Sequence, residues 1–118
     1  MSDKELLELA AKAAGIEIEW KEWVTGRVAE FQAIKYTKHH EFWSNGKVWN
    51  PLTDDGDALR LAVKLRIELE FYDGFEEVFA TENTIEAISQ TEPYKNDPYA
   101  ATRRAIVRAA AEIGRGMK

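Results

Sequence analysis

The segment 49–65 constrains the fold most, because a turn, an acidic helix start and an apolar run follow one another within it. Asn50-Pro51 turns the chain, since proline fixes its own φ and disfavours a helical conformation in the residue before it. Asp54 and Asp57, three residues apart, both lie just before the apolar run. The helix dipole favours acidic residues at the start of a helix. The segment therefore predicts a helix that begins near Asp54, with Asp54 and Asp57 in capping roles.

The apolar part of this segment, 58–65, contains only two polar residues. Arg60 and Lys64 lie four residues apart, on one stripe of a helix. A helix that is apolar almost all round is buried. We therefore predict a helix from about Asp55 to Leu65 at the centre of the core, with only Arg60 and Lys64 facing water.

Two further helices are predicted at the ends of the chain. Ser2-Asp3-Lys4-Glu5 is typical of a capping box, and the apolar spacing after it predicts a helix at about 3–14. Asp97-Pro98 opens the last helix, with Asp97 as the cap and proline in the first turn. Gly114 and Gly116 are expected to end that helix. Small and apolar residues form its buried stripe: Ala101, Ala105, Ala109 and Ile113.

The stretches between the helices have the alternation of strands. Residues 16–50 predict an antiparallel meander of two to four strands, with Asn45-Gly46 as a hairpin turn. Residues 67–72 alternate strictly between apolar and other residues, which predicts a half-buried strand. Asp73-Gly74 predicts the second hairpin turn. Residues 85–89 fit a further strand or a short helix, and we prefer the strand.

These elements define an α+β fold. Tight turns between strands imply an antiparallel sheet, and three helices must bury their apolar faces on it. We predict one sheet of about four to five strands packed with three helices in the order α-β-β-α-β-β-(β)-α, an α/β/α sandwich-like arrangement. At 118 residues the chain is expected to form a single domain over 1–118.

Two segments of the sequence also resemble a known family. The chain resembles the phage ABA (α/β/α) sandwich domain, a family of small phage and prophage proteins, in two segments. These are 49–65, which contains Trp-Asn-Pro-Leu-Thr-Asp-Asp-Gly-Asp-Ala, and 97–114. Residues 3–15 match the family loosely. The resemblance implies helices around a β layer and a phage or prophage origin. It carries no molecular activity and no active site. Residues 16–48 and 66–96 lie outside it, and we expect them to carry what is particular to this protein.

Composition limits the classes of function. The net charge of −5 argues against non-specific nucleic-acid binding, so nucleic acid is not expected as a partner. The chain has no cysteine, no apolar run of 18 residues and a charged N-terminal helix, which exclude a disulfide framework, a spanning helix and a signal peptide. We expect a soluble protein of the bacterial host cytoplasm with no membrane contact and no cofactor.

Three aspartates form the most enzyme-like cluster. Asp54, Asp55 and Asp57 could bind a hard cation such as Mg²⁺ through oxygen. The alternating acids and distal glutamate of a calcium loop are absent from the sequence, so helix capping is the preferred interpretation.

Two other groups of polar residues, a histidine pair and the arginines of the last helix, are best explained by structural roles. His39-His40 would point to opposite faces of a strand and would not ligate one ion, so solvated loop histidines are preferred over a metal site. The last helix carries a basic side that could bind an anion, and we prefer a solvated face on which Arg108 pairs with Glu112. That side is formed by Arg103, Arg104, Arg108 and Arg115.

Four tryptophans lie in the first half of the chain. Tryptophan is enriched in binding hot spots and also in cores. Trp20 and Trp23, three residues apart, would lie on opposite faces of a strand, so one of them would be exposed or covered by a partner. We expect three of the four to be core residues, and we treat the whole set as candidate binding residues: Trp20, Trp23, Trp43 and Trp49.

Three functions follow from the sequence. The preferred one is a phage or prophage accessory protein, without a predicted catalytic residue, that binds a host or phage protein and inhibits a host defence or regulatory system. Its surface would lie in residues 16–49, where a homodimer is the first expected assembly because free sheet edges invite pairing. The alternatives are a small ligand- or metal-binding enzyme domain that uses Asp54, Asp55 and Asp57, and an acidic mimic of nucleic acid.

Overall fold

The computed structural model describes residues 1–28, 34–82 and 89–117 and has an α+β fold. The described residues include three helices and two three-stranded antiparallel sheets. The chain divides into two compact units, one made of Met1–Glu17 and Asn50–Lys118 and the other of Ile18–Trp49. In chain order the elements are α1 (Asp3–Ala14), β1 (Glu19–Val28), β2 (Ile34–Ser44), β3 (Lys47–Val48), α2 (Asp55–Leu65), β4 (Glu68–Tyr72), β5 (Glu77–Thr81), β6 (Ser89–Pro93) and α3 (Pro98–Arg115).

The six strands that the structure describes form two sheets, so the prediction of one sheet with four to five strands is wrong. One sheet has the order β1-β2-β3 and the other β4-β5-β6. Alternation and turn residues predict hairpins, which are local. Whether two hairpins share a sheet depends on pairings between distant parts of the chain, which a period of two residues does not specify.

The smaller unit is a long hairpin with a short third strand. β1 and β2 pair from Glu19 opposite Trp43 to Val28 opposite Ile34. Asn45 and Gly46, at φ 51° and 76°, make the turn into β3. The predicted hairpin turn is therefore confirmed, since both central residues of this turn type need a positive φ.

In the larger unit, β4 and β5 are joined at the second predicted turn, which extends over 73–76. The amide of Phe75 donates to the carbonyl of Tyr72, and the positive φ of 50° falls on Glu76. Most of the strand predicted at 85–89 lies outside the described residues, and β6 begins at Ser89.

Helix α1 packs against α3, and α3 also covers β5 and β6. The two helices approach closely at Gly114, where a Cβ would lie 2.8 Å from the carbonyl carbon of Leu9 and would overlap its oxygen. Gly114 is therefore an interior residue of α3 and not a helix stop, which corrects the prediction; Gly116 is the C-cap. Both helices bury small residues, a type that allows close backbone approach: Ala10 and Ala14 of α1 and Ala105, Ala109 and Ala110 of α3.

Helix α2 has the predicted bounds but not the predicted burial. Leu61 is 1% exposed, whereas Leu59 and Val63 are 64% and 56% exposed. One face of α2 packs on α3 and the opposite face lies open. The expectation of a helix buried all round is therefore wrong, because apolar side chains occur here on the open face as well. Among the described residues, no helix is long and apolar enough to cross a lipid bilayer.

Candidate functional site

The aspartates at the start of α2 are held by protein donors. The Asp54 carboxylate accepts from the Asp57 amide at 2.8 Å, so Asp54 is the N-cap. Asp57 accepts from the Asn50 amide at 3.0 Å and from the Arg60 guanidinium at 2.8 Å. The described part of the chain contains no group of three or more His, Cys, Asp or Glu side chains arranged to hold a metal ion. The arrangement of these residues is that of a turn and cap.

Asp55 has a different role, since it joins α2 to α3. Its carboxylate lies 2.6 Å from the Arg103 guanidinium, and the Arg103 side chain is 18% exposed. The Arg103 Nε also donates to the carbonyl of Leu52 at 2.9 Å. Arg103 thus joins the two segments that resemble the family, since it lies in 97–114 and contacts Leu52 and Asp55 of 49–65.

The basic side of α3 is paired with acids. Arg108 donates to Glu92 of β6 at 2.6 Å and to the Thr91 carbonyl at 3.1 Å, so the predicted pairing with Glu112 is wrong. The reason is that α3 packs on β6, which brings a largely buried carboxylate, 13% exposed, closer than the residue one turn along. The other pairs on this side are Arg103 with Asp55, Arg104 with Asp3 and Glu92, and Arg115 with Glu112. An arginine face occupied in this way offers little to an anion.

His39 and His40 lie in strand β2, and not in a loop as predicted. They point to opposite faces of the hairpin, because adjacent strand residues alternate. His39 stacks on Trp23 with ring centroids 3.9 Å apart, and the His40 Nδ1 lies 3.1 Å from a Glu22 carboxylate oxygen. Each histidine therefore belongs to a different aromatic face.

The four tryptophans are distributed differently from the expectation that three are core residues. Trp49 is 7% exposed, whereas Trp20 and Trp23 are 39% and 38% exposed. Trp43 is half-buried. Trp20 and Trp23 lie on opposite faces of β1, as predicted from their spacing.

The hairpin has one aromatic group on each face. On one face, the Trp20 ring meets Phe42 edge-on at 4.7 Å. On the other, the Trp23 Nε1 donates to the Glu41 carboxylate at 3.2 Å, and the Lys21 ammonium lies 4.9 Å above the Trp43 ring. These contacts across the strands hold the rings in place while leaving part of their surface open.

The larger unit contains a second candidate surface, which sequence reasoning missed. A cavity of about 580 Å³ lies between α2, β4 and the first half of α3. We call it the apolar groove and define it by Leu59, Leu69, Phe71, Tyr99 and Ile106. A neighbouring cavity of about 460 Å³ continues along α2 past Val63 and Arg66.

The groove exists because α3 covers only part of the sheet. Leu69 and Phe71 of β4 pair with Ala80 and Val78 of β5 and so share their face of the sheet. Ala80 and Val78 are fully buried under α3, whereas Phe71 is 55% exposed. The apolar face of β4 therefore extends beyond the helix that covers its neighbour.

The groove has a polar edge at the β4–β5 turn. The Tyr94 hydroxyl donates to the Asp73 carboxylate at 3.2 Å. Partial burial, then the hydrogen bond to Asp73 and the charges of Asp73 and Glu76, raise the pKa of Tyr94 above its usual value. The phenol therefore stays neutral, with its proton committed to Asp73.

The apolar composition of α2 predicts that Leu59 and Val63 are buried. Their spacing of four places them on one stripe of the helix, away from Leu61. That separate stripe was the available signal. Its exposure depends on where α3 and β4 lie, which periodicity does not show.

Comparisons of the chain with protein-family models, with curated proteins and with solved structures give no match.

Proposed function

We propose that this chain is a non-enzymatic binding protein that contacts another protein through the apolar groove. The observation that carries the proposal is the exposure of large apolar side chains around one concave surface. Leu59, Phe71 and Tyr99 are 64%, 55% and 72% exposed and line the same cavity. Contiguous apolar surface of this kind marks interaction sites, since a protein gains nothing from exposing it to water.

The polar groups at the groove support binding more than chemistry. Asp55 pairs with Arg103, Tyr94 donates to Asp73, and the Thr102 hydroxyl donates to the Pro98 carbonyl at 2.7 Å. These bonds fix the walls of the groove. A preformed apolar surface with a few ordered polar groups at its edge is suited to an apolar anchor from a partner.

The biological setting that we propose comes from the resemblance of 49–65 and 97–114 to the phage ABA sandwich domain. In this setting the chain is a phage or prophage accessory protein with the sandwich-like organisation of that family. It acts in the cytoplasm of a bacterial host by binding a host or phage protein, as an inhibitor of a defence or regulatory system. Arg103 joins segments 49–65 and 97–114, which supports a common structural role for the two segments.

The test is capture of partners from a bacterial host lysate, with mass spectrometry as the readout. Leu59→Glu places a charge on the open face of α2 without touching the core, so it should keep the fold and lose the captured partner. Val48→Glu, at a 42% exposed apolar position of the other unit, is the matched control and should retain it. Equal capture by both variants and by the unmodified chain would overturn the groove as the binding surface.

A small ligand is the second candidate occupant, because a volume of about 580 Å³ lies in the usual range for such sites. Calorimetry against nucleotides and apolar small molecules tests it. Saturable binding that Leu59→Glu abolishes, together with no protein partner, would favour this alternative over a protein interface.

A further inference from the structure

The inference begins with β4, which lies at the edge of its sheet. β5 pairs with one side of β4, and within the described residues no strand pairs with the other side. Four of its five residues are exposed. An edge strand presents backbone N–H and C=O groups that can pair with a strand from another chain.

The two faces of β4 differ sharply in chemistry. Leu69 and Phe71 face the apolar groove. Glu68 and Glu70 point to the opposite face, where Glu77 of β5 also lies, opposite Tyr72. The described residues of β4, β5 and β6 contain no lysine or arginine, so this outer face is acidic.

We propose that the groove takes its partner as an added strand, an extended segment of another protein in which apolar residues alternate with lysine or arginine. This proposal rests on the proposed function and names the partner's chemistry. The segment pairs with the open edge of β4. Its apolar side chains enter the groove beside Leu69 and Phe71, and its basic side chains lie beside Glu68 and Glu70. The period of two in β4 thus sets the period of the partner.

A second copy of this chain fits the same edge less well. Antiparallel pairing of two β4 strands along their whole length places Glu70 directly opposite Glu70. Like charges directly opposite each other destabilise a strand pair, whereas opposite charges stabilise it. The acidic face therefore favours a basic segment over self-pairing.

The experiment is a selection of displayed random peptides of about eight residues, long enough to span a strand of this length. The full-length chain is the bait, and peptides that also bind Leu59→Glu are removed. A selected peptide is then added to labelled protein, and amide hydrogen exchange is measured by NMR. We expect alternating apolar and basic residues in the selected peptides and slower exchange of the β4 amides.

Charge reversal provides the specific test. The double variant Glu68→Lys, Glu70→Lys should bind the basic peptide roughly tenfold more weakly and should prefer its glutamate-substituted twin, because each cross-strand charge pair changes sign. The double variant Glu8→Lys, Glu17→Lys has the same change in net charge at exposed positions outside the sheet and should bind as the unmodified chain does.

Several results would overturn strand addition, and they are separable from the proposed function. Peptides with apolar residues three or four apart would show a groove that takes a helix. Binding without protection of the β4 amides would exclude strand addition in any case. Self-association with protection of β4 would show a second copy as the occupant. If no peptide depends on Leu59, strand addition is wrong, while capture of a lysate partner by the unmodified chain and not by Leu59→Glu would still support a protein interface at the groove.

Discussion

Asp57 joins two parts of the turn between residues 50 and 57. Its carboxylate accepts from the Asn50 amide before the turn and from Arg60 one helical turn later, and its side chain is only 13% exposed. The Asp57 amide in turn donates to the Asp54 carboxylate, so Asp57 is bonded through both its backbone and its side chain. Such bonds matter because an unpaired backbone donor near the interior costs free energy.

Removing the cap should destabilise the chain by a moderate amount. We expect Asp54→Ala to lower the free energy of unfolding by about 0.5–2 kcal/mol. Asp57→Ala should lower it by about 1–3 kcal/mol, since the Asn50 amide then loses its acceptor. Thr53→Ala, at an exposed neighbouring position, should change it by about 0.5 kcal/mol or less. Urea denaturation followed by circular dichroism measures all three.

The same variants test the metal hypothesis. Mg²⁺ and Ca²⁺ should leave the melting temperature of the unmodified protein unchanged, because protein donors already occupy these carboxylates. A saturable, metal-dependent rise in melting temperature that Asp54→Ala abolishes would contradict the capping role.

Tyr94 gives a pH-dependent prediction. Partial burial and Asp73 raise its pKa above the ordinary 10.0, so the folded state holds the phenol proton more tightly than the unfolded chain. The stabilisation is fully present below the unfolded pKa and is lost as the pH rises through the folded pKa. We expect Asp73→Asn to lower the pKa of Tyr94 in an ultraviolet tyrosinate titration, with Tyr94→Phe identifying the step.

A second tyrosine serves as the control for that titration. Tyr72 donates a hydrogen bond from its hydroxyl to Glu70. This bond and the charge of Glu70 raise the pKa of Tyr72. Glu70→Gln should therefore lower the pKa of Tyr72 and leave that of Tyr94 in place. An unchanged titration of Tyr94 in Asp73→Asn would refute the assigned contact.

The helices show how one amphipathic pattern can serve two purposes. α2 presents Leu61 to α3 and presents Leu59 and Val63 to the groove and its continuation. α3 buries small and apolar residues against α1, β5 and β6, and its arginines form ion pairs with residues of other elements, such as Arg103 with Asp55 and Arg108 with Glu92. In both helices the partner element determines which apolar residues count as core.

The two faces of α2 should respond differently to truncation. Leu61→Ala should lower the free energy of unfolding by about 2–5 kcal/mol, because it removes buried methylene groups and leaves a cavity. Leu59→Ala, at the exposed face of the same helix, should lower it by about 0.5 kcal/mol or less. Similar melting temperatures for both variants would argue against the observed orientation of α2.

Gly114 tests the contact between α1 and α3. By helix propensity alone, Gly114→Ala would stabilise α3 by about 1 kcal/mol. The Leu9 carbonyl leaves no room for a Cβ, so we expect a loss of about 1–3 kcal/mol. Gly116→Ala, where a Cβ meets only ordinary contacts at 3.6 Å and 3.8 Å, should change stability little. Thermal unfolding compares the two, and a stabilised Gly114→Ala would refute the close approach.

The molecule as a whole offers two surfaces for a partner, one in each compact unit. The aromatic faces of the hairpin lie in Ile18–Trp49, and the apolar groove lies in the other unit. The prediction from sequence placed partner binding and self-association in 16–49. Those activities stay predictions, and the groove adds a competing surface that the same experiments can separate.

The tryptophans distinguish these surfaces. Trp23→Ala and Trp20→Ala remove half-open side chains and should stay folded, as should Trp43→Ala. If the hairpin is the binding surface, as predicted from the sequence, at least one of them loses partner capture or dimer mass by light scattering; if the groove is the binding surface, all three retain partner capture. Trp49→Ala removes a buried ring and should cost about 3–5 kcal/mol of stability, which makes it the control for unfolding. If every variant associates normally, the aromatic surface is not the binding site.

Local chemistry explains what could be predicted here. The caps at Ser2, Asp54 and Asp97 each depend on an acceptor within three residues of its donor, and the Asn45-Gly46 turn depends on two residues that tolerate a positive φ. Helix bounds and strand alternation depend equally on neighbours along the chain. These features are visible in the sequence because their energetics involve only a few consecutive residues.

Contacts between distant residues account for the rest. Three features depend on which elements pack together. Arg108 pairs with Glu92, the Leu9 carbonyl excludes a side chain at position 114, and the hairpins separate into two sheets. The groove depends on α3 covering β5 and β6 while the inner face of β4 stays open. A hydrophobic period shows which residues could be buried, but burial needs a covering element, and its position is a property of the folded chain.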